Sequence, residues 1–161
     1  MQAQDKSFPS TKRATMRGEY DVVLFDLFGT LVDGSGKAVD GAREMLLSLP
    51  ADRWGIVTSC GRRTAEELVR QAGLLQPRIL IAAEDVASGK PAPDCYEKAA
   101  SALDVSPGRC LVIEDSAPGA NAARAAGMDV IEVGSRRALR DVLMEVHEDA
   151  TITATIRPRP N

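Results

Sequence analysis

The sequence lacks the features that mark membrane-spanning and nucleic-acid-binding proteins. It contains no uninterrupted apolar run of about 18 residues, the length that a membrane-spanning helix needs. The formal net charge is −3, and acidic and basic residues are interspersed along the 161 residues. The sequence therefore shows neither a basic stripe for nucleic acid nor a basic face for a membrane surface.

Cysteine and histidine are scarce as well. The three cysteines, Cys60, Cys95 and Cys110, are odd in number and have no CxxC spacing, which favours reduced thiols and a cytoplasmic location over a disulfide framework. The only histidine, His147, lies away from every predicted strand end and is assigned no metal or base role. Residues 1–18 are polar and basic and lack the apolar core of a signal peptide, so we expect a disordered leader there.

Short apolar runs alternate with segments of helical period along the rest of the chain. The runs are too continuous to have one wet face, which predicts buried strands at 20–26, 54–59, 79–83, 110–114 and 130–133. Strands that alternate with helices predict an α/β fold, a Rossmann-like doubly wound sheet of about five parallel strands with helices on both faces. We expect this core domain over 19–148, followed by a C-terminal edge strand or tail over 149–161.

The helix boundaries are predicted from capping residues. The sequence TAEE at 64–67 is typical of a capping box at a helix start. Pro93 suits the first turn of a helix that runs to about residue 103, and Ser116 suits the cap of a helix over 120–126. Apolar residues spaced for one buried stripe over 139–146 predict a last helix.

In a parallel sheet the functional site lies where the carboxyl ends of the strands open. The residues at these ends are Asp26, Thr58, Ser59, Glu114 and Asp115, with Lys90 in the loop after the third strand. Three acids, two hydroxyls and one lysine make up the composition of a site for a phosphate and a divalent cation.

The acidic residues have both a functional and a plain structural interpretation. Asp26, fixed at the end of a buried strand, can attack phosphorus or carbon as a nucleophile, or it merely caps a turn. Glu114 and Asp115, together with Asp26, offer hard oxygen ligands for Mg²⁺. Acids also stabilise the start of a helix, which explains one acid well and two adjacent acids poorly.

The other groups are ambiguous in the same way. Lys90, in a loop stiffened by glycine and prolines, can supply a fixed positive charge to a transition state, although most loop lysines are only solvated. Thr58 and Ser59 can donate hydroxyl hydrogen bonds to phosphate oxygens, but such residues are common at strand ends without any ligand. Gly29 lets the chain turn sharply after Asp26.

Four segments in this order resemble the motifs of the haloacid dehalogenase superfamily, and the resemblance covers about residues 20–134. They are FDLFGTLVDG (25–34), IVTS (56–59), SGKPAPDCY (88–96) and VIEDSAPGANAARAAGM (112–128). The last two are the more specific, and they are similar to the branch that contains sugar and polyol phosphatases and beta-phosphoglucomutase.

The resemblance implies a role for each candidate residue. Asp26 is the nucleophile that becomes phosphorylated, and Lys90 holds the nucleophile and the phosphate together. Thr58 or Ser59 binds the phosphate, and Phe28 and Gly29 line the substrate-binding turn. The magnesium ligands are Asp26, Glu114, Asp115 and the backbone carbonyl of Phe28.

Phe28 departs from the pattern of the family's phosphatases. They usually carry at this position a second aspartate, which protonates the leaving oxygen and then activates water. Phenylalanine cannot transfer a proton, and such help is worth about a hundred- to ten-thousand-fold in rate. Dehalogenases of the superfamily carry an aromatic residue there and need no metal, but the acid pair at 114–115 retains the phosphatase pattern.

The spacing of the motifs is the second departure. Relatives in this branch insert a helical cap domain after the first motif, whereas the short sequence DGSGKAVDG at 33–41 stands there in this chain. We therefore expect a capless protein. An open site suggests a bulky phosphorylated substrate, a lid lent by another subunit of a homo-oligomer, or lost activity.

The sequence thus leads to three hypotheses. The first is a capless, Mg²⁺-dependent phosphohydrolase that acts on a phosphorylated substrate through Asp26 and turns over weakly because of Phe28. The second is a catalytically impaired module of the same fold that binds phosphate or a protein partner. The third is a metal-independent dehalogenase of 2-haloacids.

Overall fold

The computed structural model describes residues 14–15 and 18–158. In chain order the strands are β1 (Ala14–Thr15), β2 (Val22–Phe25), β3 (Trp54–Val57), β4 (Leu80–Ile81), β5 (Cys110–Glu114), β6 (Asp129–Glu132), β7 (Val142–Val146) and β8 (Ile152–Ile156). The α-helices are α1 (Ala42–Leu47), α2 (Arg62–Gln71), α3 (Asp94–Leu103) and α4 (Ala117–Ala125). Strands β2 to β6 form a parallel main sheet in the order β4-β3-β2-β5-β6, which confirms the predicted Rossmann-like α/β fold.

Apolar side chains cover both faces of the main sheet. On one face, Phe25 and Ile113 pack with residues of α1 and α2 such as Leu46 and Val69. On the other face, Leu24 of β2 and Val112 of β5 pack with residues of α3 and α4 such as Tyr96, Ala99 and Ala123. Burial on both faces explains why the strands have continuous apolar sequences, and it confirms helices on both sides.

The structure agrees with two of the three helix starts predicted from the sequence. Pro93 is the N-cap of α3, which spans Asp94–Leu103. Ser116 caps α4, because its Oγ accepts a hydrogen bond of 3.1 Å from the Gly119 amide. The capping box at 64–67 was wrong, since α2 already begins at Arg62. The Arg62 amide instead donates to the Glu84 carboxylate at 3.0 and 3.2 Å, so an acid distant in sequence caps this helix.

The C-terminal part differs most from the prediction. A single 3₁₀ turn at Leu139–Asp141 is followed by β7, and β7 pairs with β8 in an antiparallel hairpin, so the predicted last helix was wrong. Val142, Met144 and Val146 also recur at every second residue, which suits a strand as well as a helix. Pairing with β8, whose Ile152 and Ala154 are buried, decides between the two.

Strand β8 is the central strand of the small sheet β1-β8-β7, so its prediction as an edge strand was wrong. Pro158 lies beyond the end of β8 and removes no donor from the ladder. The predicted leader falls mostly outside the described residues, but Ala14 and Thr15 pair with Ile156 and Thr155 of β8. Over the described ranges, the helices are too short or too polar to cross a lipid bilayer.

Candidate active site

The carboxyl ends of the central strands deliver the candidate residues to one edge of the main sheet. Asp26 follows β2, and its amide donates to the Ile113 carbonyl at 3.0 Å, which fixes the backbone of the candidate nucleophile. In the parallel register, Phe25 of β2 lies opposite Ile56 of β3 and Ile113 of β5. The residues that follow these three positions therefore meet, as expected for the carboxyl edge of a parallel sheet.

Lys90 is the central cation of the site. Its Nζ donates to Asp26 Oδ1 at 2.9 Å, to Glu114 Oε1 at 2.6 Å and to the Val57 carbonyl at 3.0 Å. Only 5% of its side chain is exposed. Burial alone would lower the pKa of Lys90, but the Asp26 and Glu114 carboxylates outweigh burial and raise it. Lys90 is therefore a fixed ammonium group whose three donors are all used.

Glu114 is fully buried and faces inward. Its Oε1 accepts from Lys90 and from the Tyr96 hydroxyl, the latter at 3.3 Å. Its Oε2 accepts from the amides of Asp115 and Ser116, at 2.9 and 3.0 Å, and from the Ser116 hydroxyl at 3.2 Å. A Cβ at Gly119 would overlap this carboxylate, so α4 approaches it as closely as glycine allows.

Tyr96 is a member of the site that the sequence analysis missed. Its hydroxyl donates a hydrogen bond to Glu114. The Lys90 ammonium lies over its ring, 5.2 Å from the ring centre, which is within cation–π range. Burial raises the pKa of its hydroxyl well above the ordinary value. The sequence could have indicated this role, since Tyr96 lies on the apolar face of a predicted helix and a buried phenol needs a hydrogen-bond partner.

Asp26 is the most perturbed acid of the site. Burial, the largest cause, and the nearby Glu114 carboxylate raise its pKa to about 7, against the opposing effect of the Lys90 charge. Its side chain is 11% exposed, so it still reaches solvent at the mouth of the site. Perturbation by burial together with specific charged partners is typical of functional sites.

Asp115 completes the group on the solvent side. Thr30 Oγ1 lies 3.4 Å from Asp26 Oδ2 and 3.2 Å from Asp115 Oδ1, and so joins the two carboxylates. Gly29 has a φ of +88°, and a Cβ there would overlap the Asp115 carboxylate, so both its conformation and this close approach require glycine.

The donor set fits a magnesium ion. Asp26, Glu114 and Asp115 each offer one oxygen, and these atoms lie within 4.8 Å of one another. Carboxylate oxygens are the ligands that Mg²⁺ prefers. Glu114 accepts five hydrogen bonds from the protein, whereas the Asp26 side chain is partly exposed and Asp115 is exposed.

The remaining predicted residues lie at the rim or just behind it. Thr58 follows β3 and is buried, and its Oγ1 accepts from the Cys60 amide at 3.2 Å. Ser59 is exposed next to it. Phe28 is 53% exposed, although it lies two residues from Asp26. The structure thus places all the predicted residues at one edge, but only some of them are in mutual contact.

Residues 27–41, which include most of the first motif, form a compact flap without a helix. Phe28 bridges to Val32, Val32 bridges to Ala38, and the Asp33 carboxylate accepts from the Ser35 and Lys37 amides. No domain is inserted between residues 26 and 41, all of which the structure describes. This agrees with the expected absence of a cap at this position.

Comparison with known families gives one domain match. Residues 34–127 match the model of the haloacid dehalogenase-like hydrolases. The solved HAD family hydrolase from Deinococcus radiodurans R1, described with bound phosphate and sodium, superposes with a TM-score of 0.65 at 25% identity. The superposition covers 69% of this chain and 79% of that one.

Curated relatives include phosphatases. Validoxylamine A 7'-phosphate phosphatase of Streptomyces hygroscopicus subsp. limoneus is 45% identical over 93 residues, which cover 56% of this chain and 44% of the relative. Hexitol phosphatase A of Escherichia coli (strain K12) is 37% identical over 108 residues, 65% of this chain and 50% of the relative. The chain spans about half the length of the curated relatives it matches.

Proposed function

Because the chain belongs to the haloacid dehalogenase-like hydrolases, we propose that it is a Mg²⁺-dependent phosphohydrolase that acts through a phosphorylated Asp26. One observation supports this more than any other. Lys90 Nζ lies within hydrogen-bond distance of both Asp26 and Glu114, at the strand ends where a phosphate would enter. A carboxylate can act as a covalent nucleophile when it is ionised, and the Lys90 charge favours the ionised form of Asp26 against burial.

The proposed reaction has two displacement steps. A carboxylate oxygen of Asp26 attacks phosphorus, an Asp26–phosphate bond forms, and the bond to the alcohol oxygen breaks with its electron pair leaving on that oxygen. Water then attacks the phosphorylated aspartate, which releases inorganic phosphate and restores the carboxylate. Both steps require ionised Asp26 as nucleophile or as leaving group, and the Lys90 charge favours this form against burial.

Asp26 and Asp115 would hold the magnesium ion, together with the backbone carbonyl of Phe28. When bound, the ion neutralises charge on the phosphate. In this proposal Glu114 positions Lys90 instead of contacting the ion directly, because its oxygens already accept five hydrogen bonds from the protein. This assignment refines the expectation that both acids of the 114–115 pair bind the metal.

Lys90 stabilises the charge that develops on the transferred phosphoryl group. It is held by Glu114 and Val57 on the protein side, so little reorganisation is needed when the substrate binds. Ser59, exposed at the end of β3, is the freer of the two hydroxyl candidates for a phosphate oxygen, since Thr58 already bonds to Cys60.

Phe28 determines which leaving groups the enzyme can release quickly. It offers no proton to the departing oxygen, so esters of poorly acidic alcohols should react slowly and esters of acidic phenols should react well. The exposed position of its side chain leaves room for an acidic replacement.

The substrate is then a phosphorylated small molecule, or a bulkier phosphorylated substrate that the open site admits. Names of curated relatives such as hexitol phosphatase support the small-molecule class. Coverage of the open site by a second copy of the chain, and a cytoplasmic location suggested by the three free cysteines, belong to the same proposal.

A test uses p-nitrophenyl phosphate and a hexitol phosphate, each with Mg²⁺ and with a chelator. We expect metal-dependent hydrolysis of the first, little of the second, and loss of about a thousandfold or more in Asp26→Asn. Phe28→Asp should raise turnover of the hexitol phosphate by about a hundredfold. Asp33→Asn, in the flap but bonded only locally, is the matched control.

Equal activity of Asp26→Asn and the native chain would contradict the proposal. Because Phe28 cannot transfer a proton, two other functions are also considered, a dehalogenase and an impaired binding module. Hydrolysis of 2-chloropropionate without metal would identify a dehalogenase. Calorimetric binding of phosphate without turnover of any ester would identify an impaired binding module.

A further inference from the structure

An apolar pocket adjoins the candidate active site. It has a volume of about 260 Å³ and lies between the flap and the segment that follows β6. Gly29 and Thr30 of the flap form one of its walls. The Thr30 hydroxyl contacts the Asp26 and Asp115 carboxylates, so the pocket and the candidate site share this wall.

Hydrocarbon side chains make up most of the rest of the lining. Val39 belongs to the flap, Val133 follows β6, and Ala138 and Leu139 lie at the 3₁₀ turn before β7. Val133 and Leu139 are buried members of the core cluster that also contains residues of α1 and α2. The floor of the pocket is therefore the margin of the hydrophobic core, which favours an apolar occupant.

The charged residues of the lining neutralise each other. Of the described residues that line the pocket, two are charged, and the Arg140 guanidinium donates a hydrogen bond to the Asp40 carboxylate. Both side chains are well exposed, so this ion pair lies toward solvent and the buried apolar side chains lie deeper. A Cβ at Gly41 would overlap Arg140, which shows how closely the flap and the turn approach each other. The pairing leaves the apolar surface as the feature that selects a ligand.

The pocket lies close to the carboxylates that would hold the phosphate and the metal. Gly29 lines the pocket, and a Cβ there would overlap the Asp115 carboxylate. The cleft that contains Asp115 in its lining shares Val133 and Gly134 with the pocket. The alcohol part of a small phosphate ester bound at Asp115 can therefore reach the pocket, because a single residue separates the two.

The size and chemistry of the pocket suit an aromatic ring. An apolar protein cavity of about 150 Å³ binds benzene. A pocket of about 260 Å³ therefore admits a phenyl ring with a small substituent. A phenol is also an alcohol that departs readily without a proton donor, and Phe28 supplies no proton. The pocket and Phe28 thus favour the same kind of leaving group for independent reasons.

We infer that this pocket binds the aromatic ring of the substrate, so that the preferred substrates are phosphate monoesters of phenols. The phenol oxygen leaves as a phenolate, with the electron pair of the broken bond to phosphorus. The inference rests on the proposed function, because it takes Asp26 and Asp115 as the place where the reacting phosphate lies. Val39 and Ala138 are specificity-determining residues in this assignment, and neither takes part in the displacement at phosphorus.

The test compares benzylphosphonate with ethylphosphonate in isothermal titration of the full-length native chain with Mg²⁺. The two ligands copy phenyl phosphate and methyl phosphate, with a methylene group in place of the ester oxygen. Since a phosphonate has no alcohol to release, the ratio of the two affinities measures ring binding and not reactivity. We expect benzylphosphonate to bind about tenfold to a hundredfold more tightly, as burial of one ring predicts. Inorganic phosphate should compete with both ligands.

Two variants change the pocket in different ways. Ala138→Leu fills part of it, so the affinity ratio should fall to about one while the affinity for ethylphosphonate stays unchanged. Val39→Thr keeps the volume of the side chain but adds a hydroxyl, so the ratio should fall by about threefold. Ala51→Leu is the matched control, because it adds the same side chain at an exposed turn before β3. It should keep the native ratio, and circular dichroism of each variant checks that the fold is retained.

Equal affinities for the two phosphonates, or binding of neither, would overturn the inference. A preference for benzylphosphonate that survives both pocket variants, or that inorganic phosphate does not compete with, would overturn it as well. Failure of the proposed function has a different signature, namely no hydrolysis of p-nitrophenyl phosphate by the native chain. A ring preference that Ala138→Leu or Val39→Thr removes would then still establish an aryl pocket beside a phosphate site. Hydrolysis without ring preference would support the phosphatase and exclude this substrate class.

Discussion

The candidate site has two halves that differ in how they are held. The buried half consists of Lys90, Tyr96 and Glu114, which are sealed from solvent and bonded to one another. The open half consists of Phe28 and Asp115, which face solvent. Asp26 lies between the halves. The difference teaches that the charges of the site are held in place by buried side chains, since Glu114 and Tyr96 both contact the Lys90 ammonium or its partner carboxylate.

The buried half is stable only as a complete network. In the described part of the chain, every buried side-chain nitrogen or oxygen has a hydrogen-bond partner. Removing one member leaves the others desolvated and unpaired, at a cost of several kcal/mol. The open half has no such constraint, so its side chains can change with little effect on folding. Mutations in the two halves should therefore separate stability from function.

Lys90→Met should have the largest effect on folding. The variant leaves Asp26 and Glu114 buried without their cation, and breaking a buried pair in this way costs about 3–5 kcal/mol. Urea unfolding at neutral pH measures the loss. Lys98→Met is the matched control, since Lys98 lies on the exposed side of α3 and donates only to the Asp85 carbonyl. A loss below about 1 kcal/mol in Lys90→Met would contradict the distinction between the halves.

The loss in Lys90→Met should also depend on pH. Burial already raises the pKa of Asp26 to about 7, and removal of the Lys90 charge raises it further. A carboxyl with a folded pKa above its unfolded value binds more protons in the folded state, so its contribution to stability grows as pH falls. The difference between variant and native chain should therefore shrink between about pH 8 and about pH 5. A constant difference would mean that Asp26 keeps its charge without Lys90.

Glu114→Gln should have the second largest effect. The amide keeps the shape of the side chain but replaces an acceptor oxygen by a donor, which opposes the donors of Lys90 or of Ser116. We expect a loss of about 2–3 kcal/mol in urea unfolding, together with loss of phosphatase activity through misplacement of Lys90. Glu97→Gln on α3 supplies a control for the loss of one negative charge.

Asp115→Asn should have little effect on stability but should weaken the binding of Mg²⁺. Its side chain is exposed, so stability should change by less than about 0.5 kcal/mol. The affinity for Mg²⁺, measured by the concentration that gives half-maximal hydrolysis of p-nitrophenyl phosphate, should fall by about ten- to a hundredfold. Glu114→Gln could instead lower the affinity for Mg²⁺ as much as Asp115→Asn does, without destabilising the fold. Glu114 would then be a direct ligand, and the two halves would not be distinct.

The residues of the site were not all equally predictable from sequence. Asp26, Lys90 and the 114–115 pair follow or flank buried strands, and parallel topology alone brings such positions together. The roles of Glu114 and Asp115 differ because successive residues at a strand end point in opposite directions, and only coordinates show which one faces inward. Tyr96 was missed because its spacing on α3 is that of a core residue.

The same limit explains the errors at the C-terminus. Residues 142–146 carry apolar side chains at spacings that suit a helix and a strand, and the choice depends on β8, a partner that local periodicity does not identify. The start of α2 depends likewise on Glu84, 22 positions after Arg62. Local sequence predicts an element correctly when nearby residues stabilise it or when the topology of the sheet brings its contacts together. It fails where a distant segment of the chain supplies the stabilising contacts.

Phe28→Ala should have the smallest effect on stability. A phenylalanine in a core costs about 3–5 kcal/mol when it is truncated, but the Phe28 side chain is 53% exposed and buries little surface in the monomer. We expect a change within about 0.5 kcal/mol in urea unfolding, measured at several protein concentrations. Leu47→Ala, at 64% exposure on α1, is the matched apolar control outside the site. A loss above about 1 kcal/mol that grows with concentration would show that a second copy covers Phe28, because only association makes stability depend on concentration. The open half would then be closed in solution by a second copy of the chain, and Phe28 would be an interface residue as well as the residue proposed to slow turnover.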